Sequence, residues 1–235
     1  EFEITDILLE QYSNNDLFVF NGLSNEKNYV KSMLKNNDNL KIIDVSSNMT
    51  FDYSIEEIWL DPNNLLTIAN NIKKGFEEYI ENTYLINEIE ENYNNLKIEL
   101  TSIDGKYYSA AKNSNKKVMI ITDNAFKYLE KYGIEIISLD KDTVTQKDII
   151  KAKELLDDEI CKYIAKAREY LGNETCNYIF IKYKETINDD VKKLLEETNT
   201  EVIELYTMTN LEEINIENNN YITLMNQNLD NIKEE

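Results

Sequence analysis

YLINEIEENYNNLKIELTSIDGKYYSAAK, from Tyr84 to Lys112, is the stretch on which the architecture turns. Leu85, Ile86, Ile89, Tyr93, Leu96, Leu100 and Ile103 recur within it at the spacing of one helical face. A globular helix averages about 11–12 residues, so a helix over this whole stretch is long. A coiled coil would account for such a segment, but the pattern stops after about four heptads. A new series of strands and helices starts straight after it. A rigid connector between two lobes fits that context better.

Upstream, helical spacing already runs through Leu65, Ile68, Ile72, Phe76 and Ile80, with a short break at Asn82-Thr83. Asp61-Pro62 marks the start of that helix. Asp61 is a good N-cap, and Pro62, the only proline, suits the first helical position because its missing N–H would be unpaired there anyway. Further upstream, Ile7, Leu8 and Tyr12 fall at helical spacing. Leu17-Phe18-Val19-Phe20 is a compact apolar run fit for a buried parallel strand. Ser24 is the expected N-cap of a helix to about Lys35, with Tyr29, Val30, Met33 and Leu34 on one face. Ile42-Ile43-Asp44-Val45 is the next strand, which completes a βαβ unit.

Downstream, Val118-Met119-Ile120-Ile121 reads as a strand, Asn124 to Tyr132 as a helix, and Ile134-Glu135-Ile136-Ile137 as a strand. A helical region from Gln146 to Leu171, a strand Tyr178-Ile179-Phe180-Ile181 and a helix Asp189 to Thr198 follow. The strand Val202-Ile203-Glu204-Leu205 and a closing helix from Tyr221 complete the series. Short apolar strands separated by helices imply parallel sheets covered on both faces. The fold class expected is therefore α/β: two lobes of parallel sheet flanked by helices and joined by one long rigid helix. The expected domains are an N-terminal lobe over 1–83, incomplete at its start, a linking helix over 84–112, and a C-terminal lobe over 113–235.

Composition removes several functions. The chain has 235 residues, 45 acidic against 25 basic, for a net charge of −20. Such a chain repels phosphate backbones and anionic lipid surfaces, so nucleic acid is not an expected partner. There is no histidine, which excludes Ser-His-Asp and Cys-His nucleophilic systems and the commonest transition-metal ligand. With 5 glycines there is neither a GxGxxG nor a P-loop. Carboxylate pairs such as Glu56-Glu57 read as solvated surface in so acidic a chain. An enzyme reading would need two carboxylates of raised pKa converging in a cleft. Of the 16 tyrosines, those such as Tyr12, Tyr79 and Tyr93 lie on apolar stripes and are expected in the core. Cys161 and Cys176 are expected as unpaired thiols. The helical residues from Cys161 to Leu171 would rise roughly 15 Å, beyond the Cα separation of about 4.4–6.8 Å that a disulfide needs. No run of apolar residues reaches the eighteen or so of a membrane-spanning helix, and Glu1-Phe2-Glu3-Ile4 has no signal-peptide character.

Four stretches together resemble a known family. They are FEITDILLEQYSNNDLFVFNGL (Phe2–Leu23), IEEIWLDPNN (Ile55–Asn64), IITDNAFKYLEKYGIE (Ile120–Glu135) and NNNYITLMNQNLDNI (Asn218–Ile232). In this order, with a long helix between the second and third, they are similar to the metal-binding solute-binding proteins of ABC importers, the zinc and manganese lipoprotein family. WLDP followed by a helix is the most specific of the four. The resemblance implies two βα lobes joined by a rigid helix with the ligand between them, and a protein that hands its ligand to a membrane permease rather than an enzyme. It also implies an extracytoplasmic location, a lipid anchor through a segment upstream of Glu1, and a monomer.

That family holds its metal by His, His, His or Glu, and Asp. The first position falls upstream of Glu1, the second on Glu57 and the third on Asp123. The last falls near Met208 or Thr209, neither of which is the expected acid. Carboxylates in place of imidazoles shift the preference toward hard cations such as Mn, away from Zn, which favours N and S donors. Two readings stand at this point. Glu57 and Asp123 are the surviving ligands of a divalent metal, Mn or Zn, or they are polar residues lining a cleft that holds no metal. On the second reading the fold serves as an adhesin or partner-binding protein.

Overall fold

Leu17-Phe18-Val19-Phe20 and Lys41-Ile42-Ile43-Asp44 lie side by side as parallel strands β1 (Leu17–Phe20) and β2 (Lys41–Asp44), with Phe20 opposite Asp44. In the computed structural model, which describes residues 4–49, 57–114, 118–156, 178–182, 189–198, 203–208 and 220–233, this pair belongs to the first of two units, Glu1–Thr101 and Ser102–Glu235. Helices α1 (Asp6–Ser13) and α2 (Glu26–Asn36) flank the strands. Thr5 caps α1, its hydroxyl accepting from the Leu8 amide. The cap position of α2 is taken by Asn25 rather than Ser24, while the Ser24 hydroxyl accepts from the Glu26 amide. Ser24 thus supplies the cap bond from one residue further upstream.

A short 3₁₀ turn, Ile58–Leu60, leads into α3 (Pro62–Tyr79). Asp61 caps α3 as expected: its Oδ1 accepts from the Asn63 amide at 2.8 Å, and Pro62 occupies the first turn. Helix α3 lies close to β2 at one point. A Cβ on Gly75 would sit 2.4 Å from Ile43 Cδ1, so the missing side chain is what lets α3 lie this close on the buried Ile43 side chain. Phe20, Val30, Met33, Leu40, Ile43, Ile58 and Leu60 are buried and form the core of this unit. The expectation that Tyr12, Tyr79 and Tyr93 are core residues needs correcting, because all three are half-buried. Tyr79 keeps its hydroxyl near the strand edge, donating to the Ile42 carbonyl at 3.1 Å, and the Lys41 ammonium lies over its ring. The polar end of the ring explains the partial exposure.

The decisive stretch is one unbroken helix, α4 (Thr83–Asn113), 31 residues long. The boundary between the two units, Thr101/Ser102, falls inside it, so a single helix is continuous through both. Its N-terminal part is tied to α3. Lys73 on α3 donates to Glu77 at 2.9 Å, also pairs with Glu90 on α4, and lies over the Tyr93 ring. The Glu90 and Glu77 carboxylates hold the Lys73 ammonium above the ordinary lysine value.

The second unit is built on a four-stranded parallel sheet of order β4-β3-β5-β6. The strands are β3 (Val118–Ile121), β4 (Glu135–Ser138), β5 (Tyr178–Lys182) and β6 (Ile203–Glu204). Among the described residues, helices α5 (Gln146–Leu156), α6 (Asp189–Thr198) and α7 (Tyr221–Lys233) accompany this sheet. On one face of the sheet, Ile120 and Ile137 join Leu139, Ala152, Leu156, Val191 and Leu194 in a buried cluster, which places α5 and α6 over that face. Side-chain alternation sends Met119 and Ile121 to the other face, where both are also fully buried. The helix expected over Asn124 to Tyr132 has those bounds but is a 3₁₀ helix throughout. The region expected to be helical to Leu171 is helix as far as Leu156; the rest of it, and both cysteines, lie outside the described residues. Two lobes of parallel sheet, flanked by helices and joined by one long helix, is the architecture found.

Candidate functional site

Strand β3 has β4 on one side and β5 on the other, so the chain leaves its carboxyl end in one direction for β4 and later returns on the opposite side. In a parallel α/β sheet a crevice opens where neighbouring connections diverge in this way, and ligands sit there. Asp123 is the second residue beyond the end of β3 and is half-buried. Its Oδ1 accepts from the Ala125 amide at 2.8 Å, which caps the 3₁₀ helix and fixes the side chain.

The turn that carries Asp123 is held from the neighbouring strand end. Asp140, two residues past β4, accepts the Asn124 amide through Oδ2 at 3.1 Å and the Asp142 amide through Oδ1 at 3.0 Å. The Ser138 hydroxyl donates to Asn124 Oδ1 at 2.7 Å, and Asn124 Nδ2 donates to Thr143 Oγ1 at 2.9 Å. The turn after β6 is gripped as firmly. The Asn228 side chain on α7 accepts from the Tyr206 amide at 2.8 Å and donates to the Tyr206 carbonyl at 2.9 Å. Thr207 is buried, and Met208 follows with φ of 65°, a left-handed backbone that a non-glycine residue adopts at a cost. Met208 therefore stands at a strained turn beyond a strand end, but its thioether is a poor donor for a hard cation.

Glu57 lies in the first unit. It immediately precedes the 3₁₀ turn, and its carbonyl accepts from the Leu60 amide at 3.0 Å. Ile58 and Leu60 are buried and anchor the turn, while Glu57 itself is half-buried. The structure thus places each expected ligand on a short, hydrogen-bonded turn at the start of a helical element. Among the described residues no group of three or more His, Cys, Asp or Glu side chains is placed to hold a metal ion. Of the two residues expected at the last position, Met208 brings no acid and Thr209 lies outside the described residues.

Asp140 and Asn228 escape a reading by motif, because neither matches a ligand pattern. The available signal is positional: each is a polar residue that reaches the end of an apolar parallel strand. Asp44 does the same in the first unit, where its Oδ1 accepts from the Gly22 amide at 2.9 Å and from the Ser46 hydroxyl at 2.7 Å. Among the described residues, the Glu90 and Asp148 carboxylates shift downward in proton affinity. The Lys73 hydrogen bond lowers Glu90, and the Thr145 hydroxyl and amide lower Asp148. A general acid needs the opposite shift.

The comparisons with known proteins agree with this architecture. A family model described as the zinc-uptake complex component A, periplasmic (ZnuA), matches residues 1–235. Among curated proteins none matches the chain. Among solved structures, the chain is similar to the Zn(II)-bound ZnuA-like domain of Streptococcus pneumoniae AdcA, at 20% identity and a TM-score of 0.66 over 100% of this chain and 85% of that one. It is similar to the metal-dependent lipoprotein YcdH from Bacillus subtilis, at 21% identity and a TM-score of 0.69, covering 100% and 85% of the two chains. It is also similar to the laminin-binding protein Lbp of Streptococcus pyogenes, at 16% identity and a TM-score of 0.70, covering 99% and 86%. At these identities the structural likeness speaks for the fold, and the family match covers the whole sequence. The family is extracytoplasmic, and among the described residues no helix is long and apolar enough to cross a membrane. The chain belongs to the ZnuA family of metal-binding solute-binding proteins of ABC importers, a family of carriers and not of enzymes.

Proposed function

We propose that this chain carries a divalent metal ion to the permease of an ABC importer, working as a monomer held at the outer side of the membrane by a lipid anchor. Glu57 and Asp123 are the proposed donors. The observation that carries the reading is the position of Asp123: a half-buried carboxylate, fixed by the Ala125 amide, just beyond the carboxyl end of the strand where the sheet order reverses. The family match supplies the class of cargo.

The donor set argues for the kind of ion. Carboxylate oxygens suit hard cations, whereas Zn²⁺ favours imidazole and thiolate, and this chain has no histidine. The proposed cargo is therefore Mn²⁺ in preference to Zn²⁺. Calorimetric titration of the purified protein with Mn²⁺ and with Zn²⁺ tests it, with Glu57→Ala alongside. The expected result is saturable binding that favours Mn²⁺ and weakens in the variant. Affinity no better than about millimolar, a binding free energy of about −4 kcal/mol, together with an unchanged Glu57→Ala titration, removes the reading.

A second reading has one observation in its favour, the likeness to the laminin-binding protein of Streptococcus pyogenes. On it the acidic surface binds a protein partner and no metal is involved. A basic partner captured equally by wild type and by Asp123→Ala would favour this reading.

A further inference from the structure

We infer that Asp140 is a positioning residue for the proposed metal donor Asp123, which it serves by clamping the turn between β3 and the 3₁₀ helix. The inference rests on the metal-carrier reading given above and adds to it a residue that no ligand pattern would identify.

Asp140 joins two loops at the carboxyl edge of the second sheet. Its Oδ2 accepts from the amide of Asn124, the residue next to Asp123, and its Oδ1 accepts from the Asp142 amide. The Thr143 hydroxyl approaches the same Oδ1 at 3.4 Å. The two carboxylate oxygens therefore face different loops, one on each side. Backbone pairing continues past the strands toward this point, the Leu139 amide donating to the Ile121 carbonyl at 2.7 Å. The Asn124 side chain closes the frame, accepting from Ser138 and donating to Thr143.

The consequence for Asp123 follows from connectivity. Asp123 orients its carboxylate by accepting from the Ala125 amide, and that amide direction depends on the peptide plane of Asn124. With the Asn124 amide fixed by Asp140, the short path Thr122-Asp123-Asn124-Ala125 has little freedom to rotate. An outer-shell partner that fixes a ligand typically changes metal affinity by about 10–100-fold when removed. Asp140→Asn is the discriminating change. It keeps the size of the side chain but leaves one oxygen where two are used, so one of the two loops loses its acceptor.

The test measures Mn²⁺ affinity by calorimetry and amide hydrogen exchange at Asn124 and Ala125 in wild type, Asp123→Ala, Asp140→Asn and Asp148→Asn. Asp148 is the control: it lies in the same unit and accepts from the Thr145 amide and hydroxyl, away from the Asp123 turn. A purely structural role for Asp140 would make the two Asn variants behave alike. The expected result is Mn²⁺ affinity lowered about tenfold in Asp140→Asn, faster exchange at Asn124, and no change in affinity in Asp148→Asn. Wild-type affinity in Asp140→Asn, or an equal loss in both variants, overturns the inference. If the wild type binds no Mn²⁺, or Asp123→Ala binds as the wild type does, the metal reading fails by itself. Exchange at Asn124 then decides alone: unaltered exchange in Asp140→Asn removes the clamp as well.

Discussion

Two glycines in long helices have opposite surroundings and should respond oppositely to the same substitution. Ala in place of Gly in a helix interior gains about 1 kcal/mol from backbone entropy. At Gly105 in α4 nothing lies within 4 Å of the added Cβ, so Gly105→Ala should stabilise by about that amount. At Gly75 the same atom would sit 2.4 Å from the buried Ile43 side chain, and overpacking costs about 1–3 kcal/mol. Gly75→Ala should therefore lower the denaturation midpoint and Gly105→Ala raise it, as read by urea unfolding of each. The sequence shows both glycines as isolated residues in a helical pattern. It does not show which one a neighbouring strand requires, because that depends on how closely α3 lies against β2.

The elements with a dense apolar signature are legible in the sequence. Val118-Met119-Ile120-Ile121 reads as a strand and is one, and Asp61-Pro62 marks the start of α3 to the residue. The 3₁₀ character of Asn124–Tyr132 is not legible, for a geometric reason. Its buried residues pair as Ala125 with Tyr128 and as Phe126 with Leu129 and Tyr132, all three apart, a spacing that serves a period of 3.0 as well as 3.6. This element and α4 also hold buried tyrosines, Tyr107, Tyr128 and Tyr132, which the sequence does not separate from half-buried ones. Tyr107 on α4 stacks on Tyr132 with centroids 5.7 Å apart, and its hydroxyl donates to the Met225 carbonyl at 3.0 Å. Burial pushes the phenols of Tyr107 and Tyr128 well above the ordinary tyrosine value. In the unfolded chain these phenols ionise near pH 10, while the folded chain keeps their protons. Above that pH the native state binds more protons than the unfolded state, so stability falls as pH rises. Urea midpoints from about pH 9 to 11 should drop steeply, and Tyr128→Phe should flatten the drop. Ile120→Ala, which empties a fully buried position in the cluster under α5 and α6, should cost about 2–5 kcal/mol at neutral pH.

At the scale of the whole molecule, the helix from Thr83 to Asn113 and two parallel sheets carry the family architecture through a sequence only about a fifth identical to solved relatives. The expectation of two lobes about one long helix needs only periodicity and strand order, which is why it is readable without any ligand residue. The binding chemistry is less readable. Glu57 and Asp123 are two acids among 45, and what distinguishes them is their place on turns at the start of helical elements, which composition does not reveal. The residues that hold the Asp123 turn, Asp140 and Asn124, emerge only from hydrogen bonds between segments 16 residues apart. Equilibrium dialysis of the purified chain against equal Mn²⁺ and Zn²⁺, followed by elemental analysis, asks the central question in one step. A divalent-metal carrier with carboxylate donors should retain about one Mn²⁺ per chain and little Zn²⁺. Retention of neither ion, or of Zn²⁺ in clear excess over Mn²⁺, would contradict the account.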